Sequence, residues 1–487
     1  MIPLTLREIA DATGGRLHRA TGDEVVTGSV EFDSRQIGAG GLFVAVPGAR
    51  VDGHDFAERA VAAGAVGVLA AREVPVPAVL VPPVTDAHTR AFALTGDTDG
   101  SGAAVLAGLA ALAHAAVSRL GGLTVVGVTG SSGKTSTKDL IAQLLEPIGT
   151  TVAPPGSFNN EIGHPWTVLR ADEATRHLVL ELSARGPGHI AALCATAPPR
   201  IGVVLNVGTA HLGEFGTRED IAATKGELVE ALPADGVAVL NADDPLVAAM
   251  ADRTTARVVR VSAEGDDAEI RAVDVELDDQ VRATFRLVTP KGEATVRLGL
   301  HGAHHVGNAL SAAAVAIELG ASVDEVAARL SDARRLSARR MEVTTTDTGV
   351  TVVNDSYNAN PESVGAALHA LARMSGERRR MWAVLGVMAD LGESGAQAHE
   401  RIGRLATRLN VDRVVAIGEE AGGIQLGAKL EGWQADRERE EPVLVPDVDA
   451  AIALLDAEVR PGDVVLVKAS KAAALWRVAD ALLGSRA

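Results

Sequence analysis

Residues 124–145 constrain the fold of this chain more than any other stretch. They begin as a β-branched run, Thr124 to Val128, which suits a buried strand, and end as a helix-periodic segment that stops at Pro147. Between the two lies the sequence GSSGKT, residues 130–135. This order forms a phosphate cradle, because small residues let backbone N–H groups turn inward and the helix N-terminus adds partial positive charge. The stretch therefore predicts a nucleotide-binding site.

Two residues of this loop have expected roles in that site. Lys134 is expected to reach the terminal phosphates, and the hydroxyl of Thr135 is expected to bind Mg²⁺. The strict motif has glycine where this chain has Val128, so the match is to the shorter GxxGKT form. An ordinary strand-to-helix turn is the alternative, but such a turn would have no need of Lys134. The predicted cradle consists of Gly130, Ser131, Ser132, Gly133, Lys134, Thr135 and Ser136.

Composition argues against several classes of partner. The 487-residue chain has a net charge of −17 and 2% aromatic residues, whereas nucleic-acid surfaces need Lys and Arg patches and stacking rings. A bound phosphate must therefore be held by local positive charge and metal against the overall field. The longest apolar run, residues 103–113, is too short to span a bilayer, and the N-terminus lacks signal-peptide character. Because the single Cys194 fits a reducing compartment, we expect a cytoplasmic protein without nucleic-acid partners or membrane insertion.

The chain divides into three α/β domains. A helix over residues 4–13, with a capping box of Thr5 and Glu8, opens a unit of about a hundred residues that ends in the Gly- and Asp-rich segment 95–102. Strands at 177–183, 201–207 and 237–241 alternate with helical segments, which predicts a doubly wound parallel sheet, and an antiparallel hairpin follows at 269–300. Beyond the basic run 334–340 the α/β rhythm returns, with strands at 350–354, 381–385, 411–417 and 464–467. The predicted domains are residues 1–100, 101–336 and 337–487.

Three polar residues follow or interrupt strands of the central sheet. Glu181 interrupts an apolar strand, His211 follows the next one, and Lys225 lies on the apolar face of a helix with Ile221. Taken singly, the lysine is expected to extend its amine to the rim and the histidine to be an ordinary loop residue. Ligands of such sheets bind outside the carboxyl ends of the strands, so all three are expected to converge on the phosphate loop. The third domain adds a strand-end loop, residues 354–360, whose Asp355 is able to meet a metal–nucleotide complex.

Two other groups of polar residues have ordinary structural explanations. Asp33-Ser34-Arg35 is by composition a solvated strand-end turn. His301, His304 and His305 invite a zinc interpretation, but no thiol or carboxylate accompanies them at ligand spacing.

A series of motifs in fixed order identifies a family. They are GSSGKT (130–135), NNEIGHP (159–165), LELSA (180–184), NVGTAHLGEFG (206–216), TKGEL (224–228), GNALSA (307–312), RRMEV (339–343) and NDSYNANPES (354–363). In this order they resemble the ATP-dependent Mur ligases of peptidoglycan synthesis, over nearly the whole chain. Residues 33–56 resemble the uridine-nucleotide domain of part of that family. The sequence departs from the family pattern at Val387 and Ala389 within LGVMADLGE (385–393), and near KASKA (468–472). These departures concern how the amino acceptor is bound and not the class of reaction.

The resemblance implies a fold and a reaction. The fold is a central P-loop ATPase-type sheet flanked by an N-terminal α/β uridine-nucleotide domain and a C-terminal Rossmann-like domain. In the reaction, ATP would phosphorylate the free carboxylate of a UDP-N-acetylmuramoyl-tripeptide, and the amine of D-alanyl-D-alanine would attack the acyl phosphate. The resemblance does not indicate whether the third peptide residue is meso-diaminopimelate or lysine. We expect a monomer.

The resemblance also implies roles for individual residues. Thr135 and Glu181 would hold one Mg²⁺, and His211 with a carbamylated Lys225 would serve a second. Asn308 would contact adenine, while Arg340 and Asp355 would complete the ATP site on domain closure. The expected substrate residues are Ser34 and Arg35 for uridine diphosphate, Asn159 and Asn160 for the muramoyl-peptide, and Tyr357, Asn358 and Asn360 in the third domain.

Three other kinds of protein should show sequence features that this chain lacks. The family member that adds the third amino acid should show an Asp-Asn-Pro-type motif in its third domain. Folylpolyglutamate synthase has its phosphate loop near the N-terminus, whereas more than a hundred residues precede the loop here. A GTPase-like switch should carry an Asn-Lys-x-Asp motif.

Overall fold

Three sheets and a short two-stranded ribbon organise the computed structural model of this chain. The structure describes residues 1–48, 51–84, 94, 97, 99–209, 212–265, 267–376, 379–432 and 440–484. None of the helices in these ranges combines the length and the apolar character needed to cross a membrane.

The N-terminal sheet has five strands in the order β2-β7-β6-β5-β4, parallel except for β2. The predicted capping box is confirmed, because the Thr5 side chain accepts from the Glu8 N–H and the Glu8 carboxylate accepts from the Thr5 N–H. The helix therefore begins at Leu6, two residues later than predicted. The elements are β1 Leu4–Thr5, α1 Leu6–Thr13, β2 Arg16–His18, β3 Val25–Val26, β4 Val30–Glu31, β5 Gly41–Val44, α2 Ala57–Ala62, β6 Ala65–Ala70 and β7 Ala78–Leu80.

The middle sheet has nine strands in the order β16-β15-β14-β13-β12-β11-β8-β10-β9. Its elements are α3 Ser101–Val117, β8 Thr124–Thr129, α4 Lys134–Leu145, β9 Thr151–Val152, α5 Gly163–Val168, β10 His177–Glu181, α6 His189–Thr196, β11 Ile201–Val204, α7 Leu212–Phe215, α8 Arg218–Glu230, β12 Val237–Asn241, α9 Pro245–Ala248, β13 Arg257–Ser262, β14 Ile270–Leu277, β15 Arg282–Thr289, β16 Gly292–His301, α10 His305–Glu318 and α11 Val323–Asp332.

The topology of this sheet confirms the predicted parallel core and antiparallel hairpin. Strands β8 to β14 form the parallel part of the sheet, and β14, β15 and β16 form an antiparallel meander. Strand β8 lies between β10 and β11, so the connections on its two sides run in opposite directions across the sheet. A crevice opens at the carboxyl end of such a strand. Strands β10 and β11 end earlier than predicted, and the residues after them become site loops instead.

The C-terminal sheet has six strands in the order β17-β18-β22-β19-β20-β21, parallel except for the edge strand β17. Helix α12 begins where the sequence predicts, with Asn360 as N-cap and Pro361 in the first turn. The elements of the C-terminal domain are β17 Glu342–Thr345, β18 Thr351–Asn354, α12 Pro361–Ser375, β19 Met381–Leu385, α13 Gly395–Arg408, β20 Arg413–Ile417, α14 Gly422–Leu430, β21 Val443–Val445, α15 Val448–Glu458, β22 Val464–Lys468 and α16 Trp476–Leu482.

Candidate active site

The phosphate loop connects β8 to α4 in a shape that depends on glycine. Gly133 has a φ of 82°, a left-handed value that disfavours side chains, and a Cβ there would lie 2.7 Å from Oδ1 of Asn308. Lys134 begins α4, and its Nζ donates to the Gly130 carbonyl at 2.7 Å. The lysine therefore folds back over the loop, with its amine beside the inward-facing backbone.

Asn206, just beyond β11, holds this loop from the neighbouring strand. Its Oδ1 accepts from the Ser132 N–H at 2.9 Å, and its Nδ2 donates to the Ser132 carbonyl at 3.2 Å. The Ser131 N–H donates to the Asn206 carbonyl at 3.0 Å, and the Gly208 N–H donates to Ser131 Oγ at 2.9 Å. Asn206 was missed among the candidate residues, although it opens one of the quoted motifs.

Glu181 lies at the centre of the site, buried at the end of β10. Its Oε2 accepts from Thr135 Oγ1 at 2.8 Å, so the predicted pair is in contact. Its Oε1 accepts from Ser157 Oγ at 3.0 Å and from Asn159 Nδ2 at 2.7 Å. Ser157 was also missed, because a serine in a loop has no distinguishing pattern. The carboxylate is thus held from both sides by neutral donors.

The chemistry of this donor set fits a small divalent cation. A hydroxyl and a carboxylate beside a phosphate loop offer the oxygen ligands that Mg²⁺ prefers. Among the described residues, no group of three or more His, Cys, Asp and Glu side chains is arranged to hold a metal ion. Thr135 and Glu181 could hold a Mg²⁺ here together with the phosphates of a nucleotide.

Lys225 lies on the apolar face of α8 with Ile221 and Leu228, as the sequence predicts. Its side chain is buried instead of extending to the rim, as a lysine considered singly was expected to do. Burial lowers the pKa of its amine to about 7, and the ammonium of Lys134 acts in the same direction. Burial also lowers the pKa of Lys134, against the attraction of Glu181. The predicted partner His211 lies outside the described residues.

The C-terminal domain contributes a second polar cluster. The Arg340 guanidinium lies 4.3 Å from the centre of the Tyr357 ring. Asp355 accepts from Lys468 Nζ at 2.6 Å and from the Met341 N–H at 3.1 Å. Lys468 is buried at the end of β22 and was not among the predicted site residues, although its motif, residues 468–472, stands out in the sequence.

Two other residues of that domain are held by local hydrogen bonds. The carbonyl of Asn358 accepts from Lys468 Nζ at 2.9 Å. The side-chain oxygen of Asn360 accepts from the Ser363 N–H at 2.8 Å, so its amide serves as a helix cap at the edge of the cleft.

A cleft of about 830 Å³ between the middle and C-terminal domains brings most predicted residues together. A nucleotide and part of a second substrate need a space of this size. The predicted residues that line it are Ser131, Ser132, Gly133, Lys134, Thr135, Ser136, Asn159, Asn160, Glu181, Asn308, Arg340, Asp355, Tyr357, Asn358 and Asn360. The remaining described candidates, Ser34, Arg35, Gly130 and Lys225, are not among the residues that line it.

Ser34 and Arg35 lie in the N-terminal domain, a few residues after a segment that contacts the middle domain. Hydrogen bonds from Arg35 lower the pKa of Asp33 to about 2, and Ser34 is nearly buried. Just before them, Glu31 accepts from Trp166 Nε1 at 3.1 Å. Since α5, which carries Trp166, begins within the NNEIGHP segment, this junction lies close in the chain to Asn159 and Asn160.

Several contacts join the middle and C-terminal domains directly, among them a hydrogen bond from the Arg373 guanidinium to the Leu277 carbonyl at 2.8 Å. The backbone N–H and the hydroxyl of Thr209 both donate to Glu362 Oε1 at 2.8 Å. Gly213 approaches Gly392 so closely that a Cβ on Gly213 would lie 2.5 Å from the Gly392 nitrogen.

The fold and the site define a class, the multidomain P-loop proteins that hold a nucleotide between two α/β domains. The chain belongs to the Mur ligase family. Family models match three successive parts of it: the Mur ligase family, catalytic domain at residues 28–93, the Mur ligase middle domain at 128–316, and the Mur ligase, glutamate ligase domain at 339–471.

Three relatives illustrate the similarity. The UDP-N-acetylmuramoyl-tripeptide–D-alanyl-D-alanine ligase of Mycobacterium tuberculosis is 58% identical, over 99% of this chain and 98% of the relative. A crystal structure of MurF from Acinetobacter baumannii has a TM-score of 0.84 and 27% identity, covering 99% of both chains. The MurF ligase of Thermotoga maritima in complex with ADP has a TM-score of 0.75 and 32% identity, covering 94% of this chain and 98% of that one.

Proposed function

We propose that this chain joins D-alanyl-D-alanine to a UDP-N-acetylmuramoyl-tripeptide at the expense of ATP. The observation that carries the proposal is the Thr135–Glu181 pair beside Lys134, facing Arg340 across one cleft. The relative from Mycobacterium tuberculosis is named for this reaction and matches nearly the whole chain.

The reaction explains why cations line the cleft. A carboxylate is a poor acyl donor, and phosphorylation supplies its leaving group. Because the attacking carboxylate and the terminal phosphate are both anions, positive groups must lie between them. Lys134 would neutralise charge on the transferred phosphoryl group, and Arg340 would approach that group from the C-terminal domain. The amine of the dipeptide then attacks the acyl phosphate, forming the peptide bond and releasing phosphate.

Two Mg²⁺ ions complete the proposed site. Bound Mg²⁺ would shield the phosphate oxygens from the incoming carboxylate. Thr135 and Glu181 would hold one ion, and His211 with a carbamylated Lys225 would hold the other. An ammonium would be repelled there. The neutral amine adds to the carbon of CO₂ and releases one proton to solvent, which gives a carbamate, an oxygen ligand on a long stem. The lowered pKa of Lys225 supports this proposal, because only the neutral amine reacts with CO₂.

We also propose positions for the substrates. Asn308 would contact adenine, and a second cavity of about 490 Å³ adjoins the cleft at Ser136, His305 and Arg340, where the nucleoside end can enter. The muramoyl-peptide would extend past Asn159, and the uridine diphosphate of the same substrate would lie towards the N-terminal domain.

The other assignments follow from this path. Asn160 would bind the muramoyl-peptide beside Asn159, and Ser34 with Arg35 would bind the uridine diphosphate. Asp355, Tyr357, Asn358 and Asn360 would serve the nucleotide and acceptor from the third domain. We propose residues 1–100, 101–336 and 337–487 as the units that bind these parts. Because one chain supplies the walls of the cleft, we propose that a monomer is active.

A phosphate-release assay across candidate acceptors tests the function. Release should require ATP, the UDP-muramoyl-tripeptide and D-alanyl-D-alanine together. Turnover of the dipeptide nucleotide with a single free diamino acid would instead identify the ligase that adds the third residue.

A further inference from the structure

Lys138 is an unusual residue in the phosphate-loop helix, because its side chain is buried without facing the cleft. Its exposed fraction is 1%, and it is among the largest fully buried side chains of the described residues. A fully buried lysine is rare, since the ammonium loses its hydration and must be compensated by partners. The mechanism proposed above does not use it.

The partners of Lys138 join two parts of the middle domain. Its Nζ pairs with the carboxylate of Asp139, which is also buried, and donates to the Pro154 carbonyl at 2.7 Å. Pro154 is the second residue of the loop 153–162, which follows β9. That strand has only two residues, both paired to β10 at the edge of the sheet, so it gives the loop little support of its own.

This loop carries two of the donors that hold Glu181. Ser157 and Asn159 both donate to Oε1 of the carboxylate, while Thr135 donates to Oε2. Thr135 and Lys138 are three residues apart on α4, so they lie on one side of the helix. The donors to both Glu181 oxygens are therefore connected to the same side of α4. Thr135 lies on the helix itself, and the loop that carries Ser157 and Asn159 is bonded to the helix through Lys138.

We propose that Lys138 is a positioning residue that fixes the loop 153–162 and thereby orients the Glu181 carboxylate towards the metal–nucleotide complex. The inference rests on the proposed function for the identity of that complex. Lys138 itself touches neither substrate nor metal. Partners that orient a metal ligand in this way typically contribute about tenfold or more to metal affinity.

The test uses Lys138→Met together with Asp139→Asn, which removes the cation without leaving a buried charge unpaired. Hydrogen–deuterium exchange of residues 153–162 should rise about tenfold, reporting the loop without any ligand. ADP affinity is measured first without Mg²⁺ as the baseline of each protein, because Asp139 also lines the second cavity and its replacement acts on nucleotide binding directly. The gain in ADP affinity on adding Mg²⁺ should fall about tenfold.

The matched control is a double variant that removes a buried cation from the C-terminal domain. Arg413 is buried in the C-terminal domain, pairs with Glu458 and donates to the Glu441 carbonyl. The control variant, Arg413→Met with Glu458→Gln, should lower the melting temperature without changing exchange in 153–162 or the Mg²⁺-dependent gain. An equal change in both variants would show a general loss of stability and overturn the proposal.

Three further results of this experiment bear on the role of Lys138. A folded Lys138 variant with wild-type loop exchange and a wild-type Mg²⁺-dependent gain would overturn it. If that variant does not fold, Pro154→Gly loosens the same loop without touching the ion pair and should give the same two effects; unchanged values would overturn the proposal. A wild-type protein whose ADP affinity ignores Mg²⁺ would contradict the proposed metal site, and loop exchange alone would then decide the role of Lys138.

Discussion

The buried amine of Lys225 should react with CO₂ near neutral pH. With its pKa lowered from 10.5 to about 7, roughly three quarters of this amine is neutral at about pH 7.5, whereas roughly one in a thousand ordinary lysine side chains is. In ¹³C-bicarbonate we therefore expect a carbamate at Lys225 that forms with a midpoint near pH 7 and disappears below it. Carbon NMR of the intact protein, recorded across a pH series, measures this directly.

Lys225→Met provides the control for this experiment. Any other amine that forms a carbamate is also present in the variant. The difference between the two proteins therefore reports Lys225 alone. Identical spectra at every pH, or a midpoint close to that of a free lysine, would refute the reasoning.

The same pKa has a consequence for stability. Between about pH 7 and 10.5 the unfolded chain binds a proton at this lysine that the folded chain does not, so the free energy of unfolding rises with pH. The slope for this group is about 1.4 kcal/mol per pH unit, and it should be absent in Lys225→Met when the two proteins are compared by urea unfolding without CO₂.

Three further predictions concern the cleft and its borders. Lys134→Ala should slow phosphate release at least about a hundredfold with an unchanged circular dichroism spectrum, and near-normal turnover would contradict its role. Gly213→Ala puts a methyl group 2.5 Å from the Gly392 nitrogen, an overpacking of about 1–3 kcal/mol; the domains should separate, which small-angle scattering would detect as a larger radius of gyration. Trp166→Phe removes the 3.1 Å hydrogen bond to Glu31 and should raise KM for the UDP substrate severalfold while kcat changes little; an unchanged KM would exclude a role for this junction in binding.

Local signals in the sequence predicted the elements that carry the site. The capping box of Thr5 and the Asn360-Pro361 helix start were readable because all their atoms lie within a few residues of each other. The phosphate loop was readable because its glycines are required by its own backbone. Glu181 was found because a carboxylate in an apolar strand is conspicuous.

The contacts that join distant segments were not readable in the same way. Asn206 bonds to Ser132 across 74 residues, and Lys468 bonds to Asp355 across 113, so no spacing rule connects them. Ser157 is an ordinary loop residue until folding brings it to Glu181. Strand β17 was missed because it is a short edge strand whose exposed face breaks the apolar pattern.

The hydrogen bonds of Asn206 also bear on how fast a nucleotide arrives. Because one amide both accepts from and donates to the Ser132 backbone, the loop keeps its shape through contacts within the protein. A preformed loop loses little conformational entropy when a ligand binds, so loop rearrangement should not limit association. The encounter rate then depends on the long-range field, and a chain of net charge −17 repels an anionic nucleotide. Added salt should therefore speed association by screening that repulsion.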